Sequence, residues 1–382
     1  MIKKSIPIFK IYWDDKDVKS VESVIRRGTY WATGPEIYEF EKNLAKYIGR
    51  KYCITFNSGT SALHCMLLAY GVNSGEVIVP SFTFISTANS VVLAGAKPVF
   101  AEVDEKTFGL DVEDVEKKVN EKTKAIIVVH YGGVPCRDTL AIKKLAKEKN
   151  ILFFEDAAES CGAEINGKKV ASFGDAAILS FCQNKIITTG EGGAVVMDSE
   201  EIYEKLKLLR SHGRLDKGED YFSSNKDMDY IALGYNLRMP TMCAALGNSQ
   251  LTKISKIINL RRNTADIFNK NLSGIECVKI QESPDNFFNV YQMYTIKLED
   301  KASRDSLQKY LEKNSISSKI YFPSLHLKTF YRKMGFEKGN LPKTERLSDE
   351  VLTIPFYPSM TQKEILLICE KIREWSELRC KN

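Results

Sequence analysis

The sequence predicts an α/β protein whose larger part is a mainly parallel, seven-stranded sheet flanked by helices, followed by a smaller C-terminal α/β domain. Seven apolar runs of strand length recur at residues 52–56, 77–79, 98–103, 125–130, 151–154, 176–181 and 194–197. Most intervals between them carry helical spacing or turn residues, as at 61–69, 86–93, 112–118 and 140–149. Runs apolar on both faces that alternate with helices suit a parallel sheet covered on two sides. The chain, at 382 residues, is also too long for one small core, and its length suggests about two domains.

In chain order, a short arm (1–12) leads to a helix with apolar periodicity at 14–27. A Gly/Pro-punctuated loop carrying Tyr30 and Trp31 follows at 28–35, then an amphipathic helix at 36–48. The strand–helix repeat occupies 52–197. Beyond it come a helix at 200–210, a polar loop at 211–226 and a long helix at 241–268. The Lys/Arg-rich part of that helix, 253–262, is the expected hinge, dividing a large domain (1–255) from a small one (256–382). In the second unit, strands are expected at 276–280, 290–296 and 318–321, helices at 303–313 and 362–378, and a loop at 281–287.

Composition excludes several classes of function. The net charge of +6, from 55 basic and 49 acidic residues, is spread along the chain with no basic block, so nucleic acid is not expected as a partner. A mild positive excess still favours an anionic small molecule. Nine cysteines stand singly without a CxxC pair, and the four histidines have no metal-ligand spacing. Reduced thiols, no metal and a cytoplasmic location are the expectation. The first residues lack the apolar stretch of a signal peptide, and no run approaches a membrane span.

The chemistry concentrates between residues 151 and 198. Asp156 ends one predicted strand, and Lys185 follows another. A lysine able to form a Schiff base and an acid able to pair with a pyridinium nitrogen suit pyridoxal phosphate (PLP). A surface lysine and a helix-capping aspartate would satisfy the same two positions. Two further strand ends add to the pattern. The stretch Asn57-Ser58-Gly59-Thr60-Ser61 opens a helix, where small residues and free N–H groups favour a phosphate, although such turns often merely cap. Phe84, in Pro80-Ser81-Phe82-Thr83-Phe84, could stack on a planar ring or pack beneath the next helix. Four such features on the strand ends of one sheet favour the cofactor reading. Ligands gather at the carboxyl ends of strands in sheets of this kind.

The motifs GPEIYEFEKNLAKYIG, NSGTSALH, VPSFTFISTAN, HYGGVPC, EDAAES, GDAAILSF, NKIITTGEGG, LRSHG, LGYNLRMP and YFPSLHL follow one another in order. With them the chain resembles, from about residue 6 to 375, the DegT/DnrJ/EryC1/StrS family of sugar aminotransferases, which have the aspartate aminotransferase fold (fold type I). The resemblance implies that Lys185 is the Schiff-base lysine and proton shuttle and that Asp156 binds the pyridine nitrogen. It implies that Gly59, Thr60 and Ser180 hold the phosphate and that Phe84 stacks on the ring. Glu159 would lie near the ring hydroxyl, at a position often occupied by Gln, where a carboxylate needs a proton or a partner. Asn236 would reach the phosphate of a neighbouring subunit, making a homodimer with shared sites. His326, Tyr321 and Arg238 match positions near the sugar nucleotide, with packing, turn-capping and dimer contacts as their other readings.

The implied reaction moves an amino group from glutamate, through the pyridoxamine phosphate form, to a ketosugar linked to a nucleoside diphosphate. The expected substrate is a 4-keto-6-deoxyhexose destined for surface glycan. A 3-keto sugar or an aminocyclitol precursor stands next. A PLP-dependent sugar dehydratase, or a regulator without catalysis, is a further alternative.

Overall fold

Adjacent residues in the apolar runs point to opposite faces of the sheet, and both faces are buried. Ile126 and Phe153 belong to one core, whereas their neighbours Ile127 and Phe154 belong to another. The computed structural model describes residues 5–215 and 229–380. The polar loop expected at 211–226 therefore lies largely outside the described residues.

The strands of the first unit are β1 (Tyr52–Phe56), β2 (Glu76–Pro80), β3 (Lys97–Ala101), β4 (Thr123–Val129) and β5 (Leu152–Asp156). A short hairpin follows, β6 (Glu164–Ile165) and β7 (Lys168–Lys169), and then β8 (Ala176–Ser180) and β9 (Gly193–Met197). Seven of them form one sheet in the order β1-β9-β8-β5-β4-β2-β3. The neighbours from β8 through β3 are parallel, and β9 runs antiparallel between β8 and β1. The reason is local. The chain returns from β8 to β9 through a loop with no crossover helix, and only an antiparallel pair can be closed that way. Register sets Phe56 and Ser180 on either side of Gly193, Asp156 beside Val129, and Asp156 opposite Ile178. The carboxyl ends of β1, β2, β4, β5 and β8 thus open on one edge of the sheet.

The second unit has its own core of Phe268, Leu272, Ile296, Leu311, Ile354 and Ile368, joined by Ile6 of the N-terminal arm. Its sheet contains β10 (Lys279–Ile280), β12 (Tyr294–Lys297) and β13 (Val351–Ile354), all antiparallel. The helices Lys301–Lys313 and Gln362–Cys380 supply further residues to this core. Between β10 and β12, β11 (Phe287–Phe288) pairs with β6 of the first unit, so part of the expected 281–287 loop is a strand.

Two further expectations change. The single helix expected at 241–268 is two, Thr241–Thr252 and Ile254–Leu272, broken at Lys253 with φ −114° and ψ 11°. The Lys253 side chain is buried, and its Nζ reaches Asp14 at 2.6 Å and Asp17 at 2.9 Å. The helix after the break joins the two cores, with Ile254, Ile257 and Ile258 in the large one and Ala265, Phe268 and Leu272 in the small one. The expected strand at 318–321 makes only one isolated bridge, Lys319 to Thr353 of β13.

Candidate active site

Strand alternation splits the acidic pair at the end of β5. Glu155 faces the sheet's interior and is fully buried, accepting from His130 Nε2 at 3.1 Å and from the N–H groups of Ala171, Phe173 and Gly174 at 2.6–2.8 Å. Burial pushes its carboxyl up, but His130 and these N–H donors outweigh burial and hold it below the ordinary range. Glu155 therefore anchors the strand end. Asp156 points the other way, toward the open edge. Its Oδ2 accepts from Thr87 Oγ1 at 2.8 Å and its Oδ1 from the Ala158 N–H at 3.1 Å. Burial raises its carboxyl above the usual value, against the pull of Thr87, Ala158 and the Lys185 charge.

Lys185 sits on the loop between β8 and β9. That loop is closed by Phe181 N–H to Gly192 O at 2.8 Å and Thr189 N–H to Phe181 O at 2.9 Å. The lysine Nζ donates to Glu159 Oε1 at 3.3 Å, and the other Glu159 oxygen accepts from the Gly132 N–H at 3.0 Å. Both side chains are largely buried, at 13% and 8% exposure. Glu159 is thus a paired carboxylate, which answers the question its residue type posed. The Gly132 N–H is available because this glycine sits at φ +63° in the turn after β4.

The phosphate-type turn lies across the sheet end from Asp156. Ser58 caps the helix Gly59–Ala69 through Oγ, which accepts from the Ser61 N–H at 3.1 Å. The N–H groups of Gly59 and Thr60 belong to the first turn, where no helical carbonyl can accept them. The packing is close. A Cβ on Gly59 would lie 3.1 Å from Ser180 Cβ and 3.3 Å from its Oγ, and one on Gly193 would fall 2.5 Å from Gly59 N. Sheet register and two glycines thereby bring Ser180 to the turn. Phe84 is 56% exposed on the segment that delivers Thr87 to Asp156, with its ring centroid 6.2 Å from that of Phe322.

The remaining expected residues stand in different settings. Asn236 is exposed, and the carbonyl of its neighbour Leu237 accepts from Asn57 N–H at 2.9 Å, so it flanks the phosphate-type turn. The backbone carbonyl of Tyr321 accepts from Tyr131 OH at 2.5 Å, which ties it to the turn holding Gly132. His326 is fully buried, with Nδ1 2.7 Å from Ser81 Oγ and Nε2 3.1 Å from Glu345 Oε1. Burial lowers its basicity, and both ring nitrogens are engaged within the protein. Arg238 donates to Ser211 Oγ at 3.0 Å and lines a groove of about 300 Å³ with Gly34, Tyr38, Glu41 and Arg210, none of which surrounds Lys185.

Known proteins resemble the chain over nearly its whole length. Residues 12–373 match the model of the DegT/DnrJ/EryC1/StrS aminotransferase family. The chain belongs to that family. It is a sugar aminotransferase of fold type I. It is 35% identical to GDP-perosamine synthase of Vibrio cholerae over 97% of this chain and 99% of that one. It is 32% identical to UDP-2-acetamido-2-deoxy-3-oxo-D-glucuronate aminotransferase of Pseudomonas aeruginosa, covering 93% and 94%. Among solved structures it is similar to the PLP form of the sugar aminotransferase Spr1654 from Streptococcus pneumoniae, with a TM-score of 0.92 and 25% identity over 98% and 99% of the two chains.

The residues of this aminotransferase fit the cofactor of that neighbour. A buried carboxylate raised by burial is poised to gain a cationic partner, the Gly59 turn packs so tightly on Ser180 that a Cβ would be crowded, and the Lys185 amine is paired with Glu159. Among the described residues no cluster could hold a metal ion, and no helix is long and apolar enough to cross a membrane. Thr87 and Gly132 are contacts of the candidate site that motif reading passed over. Both lie inside motifs of the family, VPSFTFISTAN and HYGGVPC, but only the fold shows that they touch Asp156 and Glu159.

Proposed function

We propose that this aminotransferase holds PLP and transfers the amino group of glutamate to the keto carbon of a nucleoside-diphosphate-linked 4-keto-6-deoxyhexose, for surface-glycan synthesis. The observation that carries the reading is the placement of Lys185 Nζ, Asp156 and the Gly59–Thr60 N–H groups on one sheet edge, with Glu159 opposite the amine. When bound, the cofactor supplies an electron sink that lets a proton leave the carbon bearing nitrogen. The chain's own residues do the rest. Asp156 holds a cationic ring nitrogen, its charge steadied by the Thr87 hydroxyl. Gly59, Thr60 and Ser180 hold a dianionic phosphate at a helix N-terminus. Lys185 must shed a proton from Nζ before it can act as nucleophile or base, and Glu159 Oε1 is the acceptor beside it.

The resemblance carried by the motifs favours the 4-keto reading, with the 3-keto one next. We further propose a cytoplasmic homodimer in which Asn236 serves the neighbouring subunit, with residues 1–255 as the large domain and 256–382 as the small one. Free thiols at the eight described cysteine side chains accord with a reducing compartment. The test is an assay of PLP-loaded protein with glutamate against dTDP-, GDP- and UDP-linked ketosugars, with the new amine located by NMR. Amination at C4 of a 6-deoxyhexose is expected. Amination at C3 would move the assignment to the second substrate class, and no turnover of glutamate to 2-oxoglutarate with any of the ketosugars as acceptor would remove the proposed activity.

A further inference from the structure

Lys185 has a second hold, on its backbone, from a residue no motif singles out. Gln292 is buried at 5% exposure just before β12, and its Nε2 donates to the carbonyl oxygen of Asn184, the residue preceding Lys185. The segment carrying it is itself fixed. Arg261 Nη1 donates to the carbonyls of Tyr291 and Gln292, each at 3.1 Å, and Arg262 Nη1 to that of Asn289 at 2.8 Å. The same segment lies against the turn after β4, with Val290 N–H on Gly133 O at 3.1 Å and Met293 N–H on Gly132 O at 3.3 Å. The approach is so close that a Cβ on Gly133 would fall 2.6 Å from Gln292 N. Gly132 in turn donates to Glu159, the partner of the lysine amine. One segment therefore reaches Lys185 twice, through the adjacent backbone and through the carboxylate that faces its amine.

We propose that Gln292 is a positioning residue that fixes the Lys185 loop, so that the amine meets Glu159 and the reacting carbon in one geometry. An amide that merely filled space would be a poor choice here. Its Oε1 is buried with no partner among the described residues, a penalty that a methionine of similar volume would avoid. What the amide alone supplies is the N–H to Asn184. The catalytic consequence rests on the proposed reading of Lys185, whereas the hold on the loop does not.

Full-length Gln292→Met and Gln292→Glu separate the two. In cofactor-free protein, hydrogen exchange across residues 182–189 should quicken about tenfold in both variants, while β4 and β5 keep their protection. The effect should be at least as large for the glutamate, which sets an acceptor against the Asn184 carbonyl. After loading with PLP, kcat should fall about tenfold with KM for glutamate within about twofold, and the pH midpoint of the lysine-linked cofactor's absorbance should move. Unchanged exchange in the loop, or exchange raised equally throughout the sheet, would overturn the proposal. Wild-type protein that never links PLP to Lys185 would instead overturn the proposed function, and the exchange result would still decide the role of Gln292 in the loop.

Discussion

At the scale of residues, the site holds two adjacent carboxyl groups with opposite electrostatic fates. Glu155 has four donors and is held low, so it adds stability above the unfolded carboxyl value near 4.3 and loses it as pH falls through its lower folded value. Asp156 has only neutral donors in contact and is raised by burial. Its sign is reversed. Above its folded value the buried charge weakens the cofactor-free protein, and the penalty fades as pH falls toward the unfolded value of about 3.9. Asp156→Asn should therefore raise the stability of the cofactor-free protein at pH 7 by about 0.5–2 kcal/mol, while PLP retention drops. Urea unfolding of both proteins from pH 7 to pH 4 checks this. The two share Glu155, so their difference isolates Asp156 and should shrink as the solution is acidified. An equal or lower stability for the variant at pH 7 would mean that Asp156 is not held under strain.

At the scale of elements, the strands were legible because burial on both faces leaves an unbroken apolar run, and all seven expected runs match their strands to within two residues at each end. The run Pro98–Val103 overshoots β3, which ends at Ala101, and Val103 pairs with Leu110 in an isolated bridge. The break at Lys253 was not legible, since a lysine within a helical pattern normally faces solvent. Here two carboxylates, Asp14 and Asp17, decide its place. Asp17 accepts from Lys253 Nζ, from Ser249 Oγ at 2.6 Å and from Gln250 Nε2 at 2.8 Å, which pins the Asp15–Arg27 helix to the break. Removing one member of a buried pair strands the other. Lys253→Met should therefore cost about 3–5 kcal/mol in denaturant unfolding, more than an exposed ion pair could account for. A loss below about 1 kcal/mol would show that the pair is solvated in practice.

At the scale of the whole molecule, the proposed homodimer bears on apolar side chains that the single chain leaves exposed. Leu93 is 61% exposed and Leu233 86%, and the His64 ring lies 5.5 Å from that of Tyr235. Sequence motifs pointed to Asn236 and to the phosphate-type turn separately. That the two are neighbours follows only from the Asn57–Leu237 hydrogen bond, a contact between residues far apart in the chain. In the proposed homodimer the exposed Asn236 is where a shared site would form, and a mixing experiment decides whose site it serves. Lys185→Ala should lose turnover in every site, and Asn236→Leu should weaken PLP retention in every site. If Asn236 serves the partner, a heterodimer of the two variants has one site carrying both defects and one carrying neither. Mixed, co-refolded protein should then regain activity, up to about half a wild-type dimer's for each heterodimer formed. If Asn236 serves its own chain, each heterodimer site keeps one defect and mixing restores nothing. Activity measured against mixing ratio, with subunit exchange followed by native mass spectrometry, distinguishes the two arrangements because only the first can produce an intact site from two impaired chains.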